Sequence, residues 1–287
     1  MTSPAEEKPA HASGTFAIGG ELSVHRLGFG AMRLPGVWGE AENPQAAGEL
    51  LREAVRLGVD LIDTAQAYGP EISERLISEA LHPYPEGLVI ATKGGLGNGS
   101  HPDGRPERLR ADCESSLRRL RLDTIELWQL HRIDPTVPLE EQLGAIRELR
   151  DEGKIRFVGV SEVSVDELRR ARELVEIATV QNRFNYANQS ADEVLRTCEA
   201  EGIGFMPWHP LAKGDLADSR GPLAAVAARL GATPAQIALA WQLQRSAVVL
   251  PIPGTGSLEH LRENVDAALL ELSPADLREL GAVVPRS

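Results

Sequence analysis

The chain has little cysteine: Cys113 and Cys198 are the only two, and no C-x-x-C pair occurs. That excludes a disulfide framework and a cysteine-built zinc site, and it fits a compartment that keeps thiols reduced. No H-E-x-x-H or clustered His/Cys set is present, so no metal is expected. No run approaches the roughly 18 apolar residues of a membrane span. The polar opening MTSPAEEKPAHASG (1–14) lacks the apolar stretch of a secretion signal, so it reads as a disordered leader and the chain as cytoplasmic. Basic charge is scarce as well. With 30 Lys and Arg against 42 Asp and Glu, the net charge of -12 argues against a nucleic-acid backbone as partner. The one basic run, RRLR (118–121), reads as an exposed helix face. Glycine-rich stretches also fall short of nucleotide signatures. GFGAMR (28–33) lacks the third glycine of a dinucleotide fingerprint, and GTGS (254–257) lacks the lysine of a triphosphate loop. GGLGNG (94–99) runs into a long polar loop rather than a helix, and reads as a flexible substrate-side loop.

What remains is regular. Short apolar runs alternate with amphipathic helical segments along nearly the whole chain. The runs are LGFG (27–30), DLID (60–63), LVIAT (88–92), IELWQL (125–130), FVGV (157–160), TVQ (179–181), GFMP (204–207) and VVLP (248–251). Between them lie helical patterns at 44–57, 74–81, 107–120, 139–152, 165–178, 191–200 and 223–230. A second helix at 234–245 precedes the last run, and 257–270 and 273–280 close the chain. Near-continuous apolar strands alternating with helices imply parallel pairing. Eight such units predict one α/β domain over 15–287, a closed (β/α)8 barrel with extra C-terminal helices. Upstream, TFAIGGELSV (15–24) reads as a β-hairpin turning on Gly19 and Gly20 and capping the barrel's bottom.

Chemistry in such a barrel sits where strands end. Those ends carry Asp63, with Tyr68 in the following loop, then Lys93, His131, Ser161, Glu162, Gln181 and Asn182. Singly each is ordinary: a strand-end Asp caps turns, a lone Lys is usually solvated, and a lone His is commonly structural. Jointly they are not. A phenol is a poor acid at pH 7, with an unperturbed pKa of about 10. An ammonium beside it stabilises the phenolate, and a carboxylate can hold that ammonium in place. A histidine nearby can hydrogen-bond a substrate carbonyl or relay a proton. Together these groups can protonate an oxygen on which charge develops, which is half of a carbonyl reduction.

In order and spacing, DTAQAYG (63–69), Thr92-Lys93 and Leu130-His131 resemble the Asp, Tyr, Lys, His tetrad of the aldo-keto reductase superfamily. The resemblance runs from about Gly14 to the C-terminus and includes GFGAM (28–32), GVS (159–161), VQN (180–182) and PIPGTGS (251–257). It implies an NADP(H)-dependent oxidoreductase acting on small aldehydes or ketones, with Asp63, Tyr68, Lys93 and His131 catalytic and NADH a weaker cofactor. Ser161 and Gln181 would then hydrogen-bond the nicotinamide carboxamide, Trp208 would stack on its ring, and the Ala31-Met32 turn would pass beneath the cofactor. Pro210 and Leu211 would line it, together with Pro253, Gly254, Thr255, Gly256, Ser257, His260, Glu263, Asn264 and the aspartate Asp63 itself. Glu162 stands where members often carry Asn, and a carboxylate cannot donate as an amide does. Trp38 in LPGVWG (34–39) is a candidate wall of the substrate pocket. The closest likeness, carried by AQIALAWQLQRS (235–246), is to bacterial pyridoxal reductase-like members.

The stretch PGTGSLEHLREN (253–264) has its own physical reading. Glycines let backbone N–H groups approach an anion, and the following helix offers its positive end. A plain glycine turn with Ser257 as a helix cap is the bland alternative. Gly254 and His260 stand where many NADP-preferring members carry basic residues, which leaves Thr255, Ser257, His260 and Arg262 to hold the 2′-phosphate. A slow cofactor-binding sensor or regulatory subunit of the same fold is the rival to an enzyme. A hydrolase is weaker, since no carboxylate pair is poised for acid/base work. The expected assembly is a monomer or weak oligomer.

Overall fold

The computed structural model describes residues 8–34, 43–97, 101–211 and 221–281. Strands β1 (Thr15–Ile18) and β2 (Leu22–His25) pair antiparallel, as the hairpin pattern predicts. The turn uses Gly19 at φ 60° and Gly20 at φ 76°, a region that L side chains avoid. Seven strands then form one parallel sheet in sequence order. They are β3 (Phe29–Gly30), β4 (Leu61–Asp63), β5 (Val89–Gly94), β6 (Ile125–Leu130), β7 (Ile155–Ser161), β8 (Ile177–Gln181) and β9 (Gly204–Phe205). Helices α1 (Pro44–Arg56), α2 (Ile72–Leu81), α3 (Pro106–Leu120), α4 (Leu139–Asp151), α5 (Val165–Leu174) and α6 (Asp192–Glu201) fill the crossovers. After β9 come α7 (Pro222–Leu230), α8 (Pro234–Arg245), α9 (Leu258–Asp266) and α10 (Pro274–Glu279).

The eighth run closes the barrel without forming a full strand. On one side Phe205 N–H donates to Val248 O and Leu250 N–H to Phe205 O, both at 2.8 Å. On the other, Gly28 N–H donates to Pro251 O at 2.9 Å and Gly30 N–H to Pro253 O at 3.2 Å. Pro251 and Pro253 have no N–H to return, so the ladder toward β3 runs one way. The (β/α)8 architecture stands.

Three expectations need correction. The helix expected over 165–178 ends at Leu174, because Ile177 and Ala178 already belong to β8 and the β-branched Val175, Ile177, Thr179 and Val180 favour a strand. The closing helix expected over 257–270 is α9 followed by a 3₁₀ turn, Ala267–Leu269. Within the expected leader, Pro9–Ser13 is a 3₁₀ helix rather than disordered. Ala10 N–H donates to Leu57 O at 3.2 Å, Ser13 Oγ accepts Leu27 N–H at 3.1 Å, and the His11 ring stacks on His25 at 3.9 Å. Its anchors are one backbone N–H, one hydroxyl and one ring, whose partners a polar composition does not reveal.

Inside the barrel, Ile18 and Val24 of the hairpin pack with Leu61, Val89, Ala91, Leu127, Ala178, Met206, Leu250 and Ile252. The hairpin thus plugs the end of the barrel where the strands begin and leaves the opposite rim for chemistry. Its seating is tight: a Cβ on Gly19 would lie 2.2 Å from Phe157 Cε1, whereas one on Gly20 meets open space. Gly20→Ala is therefore expected to cost about 1–2 kcal/mol of backbone strain, and Gly19→Ala roughly 1–3 kcal/mol more from overpacking. Urea unfolding midpoints for the pair test this; equal losses would remove the Phe157 contact from the account.

Candidate active site

Alternation along each strand decides what reaches the barrel's rim. Stepping by two along β6 leads from Leu127 in the apolar plug to Gln129 and then His131; β4 leads from Leu61 to Asp63, and β5 from Val89 through Ala91 to Lys93. Register aligns Lys93 with Gln129, Gln129 with Gly159, and Ser161 with Gln181. Gly159 makes room: a Cβ there would lie 2.4 Å from Thr179 Oγ1 and 2.8 Å from Gln129 Cγ.

The polar residues meet around Lys93, which is fully buried. Its Nζ donates to Asp63 Oδ2 at 2.6 Å, to Thr64 O at 2.7 Å and to Tyr68 Oη at 3.2 Å. Asp63 Oδ1 accepts from Gln129 Nε2 at 3.0 Å and Gln181 Nε2 at 2.9 Å. A carboxylate only accepts, so both amides must present their NH₂ groups to it. His131 lies against Tyr68, ring centroids 5.9 Å apart and nearly perpendicular, and its backbone N–H donates to Gly94 O at 2.9 Å. The four residues expected to act together do lie together.

Their electrostatics divide the roles. Burial works to lower Lys93, but Asp63 and Tyr68 more than offset it, so the ammonium is held above its ordinary range. Burial pushes the half-buried Tyr68 phenol up, with Lys93 pulling the other way. Lys93 therefore acts in the expected direction without overcoming burial, and Tyr68 carries its proton at neutral pH. Burial, then Lys93 and Arg132, hold His131 well below its usual value, so the imidazole is neutral.

Around this centre the remaining candidates are distributed as follows. Ala31 and Met32 form a 3₁₀ turn after β3; Ala31 is buried and its O accepts from Ser73 Oγ at 3.2 Å, while Met32 is 41% exposed. Ser161 Oγ accepts from Arg132 Nη1 at 3.0 Å. Asn182 is spent on the backbone of Val163, through bonds of 2.7 and 3.1 Å. Glu162, at φ 56°, turns its Oε1 to Arg183 N–H at 2.6 Å and to Trp208 Nε1–H at 2.5 Å. The carboxylate thus fixes the indole. Pro210 O accepts from Gln242 Nε2 at 2.8 Å, and Leu211 packs on the core. Trp38 lies outside the described residues.

Beyond Pro253, Ser257 caps α9 by accepting His260 N–H, and Thr255 Oγ1 accepts Ser257 N–H at 3.1 Å. The N–H groups of residues 254–256 donate to no described residue. His260 is exposed, Asn264 is buried, and Glu263 O accepts from Gln236 Nε2 at 3.0 Å. Arg262 is instead paired with Glu53, Nε to Oε1 at 2.9 Å. Arg56 first, and Arg262 after it, hold that carboxyl down at about 2.

Sequence reasoning missed four contributors: Gln129, the Thr64 carbonyl, Arg132 and a buried brace behind the site. In that brace Thr92 Oγ1 donates to Glu74 Oε1 at 2.6 Å, and Arg119 Nε to Glu74 Oε2 at 2.7 Å. Arg119 also reaches Glu71 at 3.1 Å, so the RRLR run is not simply an exposed face. Only Gln129 had a readable signal, two residues before His131 on the same face.

The chain matches the model of the aldo/keto reductase family over residues 26–284, and it belongs to that family of oxidoreductases. An uncharacterized oxidoreductase of Schizosaccharomyces pombe is 48% identical, covering 92% of this chain and 88% of its own. Pyridoxine 4-dehydrogenase of Escherichia coli is 39% identical, covering 95% and 99%. An aldo-keto reductase of Klebsiella pneumoniae solved in complex with NADPH has a TM-score of 0.82 at 28% identity, covering 93% of each chain.

A neutral buried His131 links stability to pH. Below about pH 6.5 the unfolded chain takes up the His proton while the folded chain does not, so stability falls as pH drops through that range. His131→Asn is expected to make the decline between pH 6.5 and 5 shallower, by up to about 1.4 kcal/mol per pH unit. Denaturation at several pH values checks this. His11, also held low by burial, acts in both proteins and cancels in the comparison.

Proposed function

We propose that the protein is an NADP(H)-dependent carbonyl reductase in which Tyr68 donates the proton to the substrate oxygen. The observation that carries this is the Lys93 ammonium held between Asp63 and the Tyr68 hydroxyl, at 2.6 and 3.2 Å. A phenol that keeps its proton at neutral pH is the right general acid, and the ammonium stabilises the phenolate left behind. Asp63 orients Lys93, with Gln129 and Gln181 holding the carboxylate. Neutral His131 donates one N–H to the carbonyl, polarising it rather than surrendering a proton.

The residues present fit the cofactor. The N–H groups at 254–256, which donate to no described residue, lie next to the N-terminus of α9 and suit an anionic phosphate. Gln181 Oε1 remains available to accept from an amide, and Ser161 Oγ can donate to one. Trp208, fixed by Glu162, would cover the nicotinamide ring; Ala31 and Met32 would lie beneath it, and Glu263 and Asn264 would meet the adenine. When bound, the reduced nicotinamide supplies the hydride. The substrate class is small aldehydes, pyridoxal among them, a reading supported by the pyridoxine 4-dehydrogenase relative.

Tyr68→Phe is expected to lose roughly 10²- to 10⁴-fold in turnover while keeping NADPH affinity by fluorescence titration. Near-wild-type turnover would remove Tyr68 as proton donor. The Arg262–Glu53 pair makes a separate test of 2′-phosphate recognition. Glu53→Gln frees the guanidinium, and the ratio of kcat/KM for NADPH over NADH is expected to rise about threefold or more. An unchanged ratio would mean that Arg262 does not reach the phosphate.

A further inference from the structure

Arg132 follows His131 at the rim and is half-buried. Its Nη1 donates to His131 O at 2.6 Å and to Ser161 Oγ at 3.0 Å. Nε and Nη2 donate to no described residue, and the guanidinium forms no ion pair with any described carboxylate. Glu162 faces it electrostatically, but its Oε1 is turned to Arg183 and Trp208. Its charge also reaches the Tyr68 phenol. A cation partly withdrawn from water normally has a carboxylate partner, because desolvation without one is costly. Here no described carboxylate bonds to it, Glu162 acting on it only through its charge, and it stands near the hydroxyl read as the proton donor. The surroundings sharpen the point: at net charge -12 the chain repels anions at long range, so capturing one needs a local cation.

We propose that Arg132 is a specificity residue that binds an anionic group, carboxylate or phosphate, carried by the substrate a few atoms from its carbonyl. This rests on the reading of Tyr68 as proton donor to that carbonyl. The guanidinium offers its unused edge, Nε and Nη2, a geometry that matches the two oxygens of a carboxylate or phosphate. Nη1 meanwhile keeps that edge in register with His131 and Ser161. The substrate would then be gripped at two points, its carbonyl oxygen at Tyr68 and His131 and its anionic end at Arg132. A neutral aldehyde leaves the guanidinium unpaired in the bound complex, and that penalty is the source of discrimination. A cofactor phosphate offers the same chemistry and must be distinguished.

The experiment compares kcat/KM for 4-oxobutanoate and butanal, matched in chain length, in wild type, Arg132→Met and Arg132→Lys. The wild type is expected to favour 4-oxobutanoate about tenfold or more, and Arg132→Met to bring the two within about threefold. Arg132→Lys is expected to keep part of the preference, since a point charge replaces the fork. A merely structural role through His131 and Ser161 would slow both aldehydes alike and leave their ratio untouched. That result, or no preference in the wild type, overturns the assignment. NADPH dissociation constants on the same proteins cover the other source. A loss of NADPH affinity with an unchanged aldehyde ratio would give Arg132 to a cofactor phosphate and likewise overturn it. If the wild type turned over neither aldehyde while binding NADPH, the carbonyl-reductase reading itself would fail, and this inference with it.

Discussion

One buried ammonium organises the barrel's interior. Lys93 is wholly withdrawn from water, and an ion so placed costs several kcal/mol unless its protons are met. Two of its acceptors, Asp63 and the Thr64 carbonyl, come from the end of β4; the third, Tyr68, comes from the loop that follows. Asp63 in turn needs donors for its second oxygen, and β6 and β8 supply Gln129 and Gln181. Four strands therefore converge on one ion pair. Removing either partner of such a pair strands a buried charge, at a cost of about 3–5 kcal/mol. The group whose charge pulls the phenol's pKa down is thus also a group on which folding depends.

The neutral imidazole completes this arrangement. His131 Nδ1 is buried and meets no partner among the described residues. A buried unpaired acceptor is tolerated better than a buried unpaired N–H, which favours the proton on Nε2. At neutral pH Lys93 is then charged, Tyr68 keeps its proton, and His131 is neutral. Three groups that a sequence presents as interchangeable acids and bases are sorted by burial and by their neighbours.

Much of this was legible. Eight alternating units announced the barrel, and Asp63, Lys93 and His131 stand at strand ends, where a polar residue after an apolar run is conspicuous. Gln129 was not seen because it lies inside the run IELWQL, and only stepping back two residues from His131 exposes it. Contacts that cross long stretches of chain left no trace. Arg119 and Glu74 are 45 residues apart, Trp208 and Glu162 46, and nothing in a charge run or a strand end tells which partner it will meet. The segment Pro9–Ser13 docks through the Ala10 N–H, the Ser13 hydroxyl and the His11 ring, and nothing in a polar stretch tells that these meet Leu57, Leu27 and His25. Periodicity reports which face a residue takes; pairing depends on the closed geometry.

That closed geometry also shapes the rim beyond the closing segment. Pro251 and Pro253 can only accept from Gly28 and Gly30, so the final segment is held to β3 by its carbonyls alone. Past Pro253 the chain leaves the sheet, and the N–H groups of 254–256, beside the first turn of α9, donate to no described residue. The departure is close: a Cβ on Gly30 would lie 2.5 Å from Ile252 O, and one on Gly254 would lie 2.5 Å from Gly30 O. Both obstacles are backbone atoms that cannot rotate aside. A basic side chain at position 254 would therefore have to push β3 away from the closing segment. Glycine here is the condition for closing the barrel at that point: the approach of Gly30 and Gly254 leaves no room for a side chain on either.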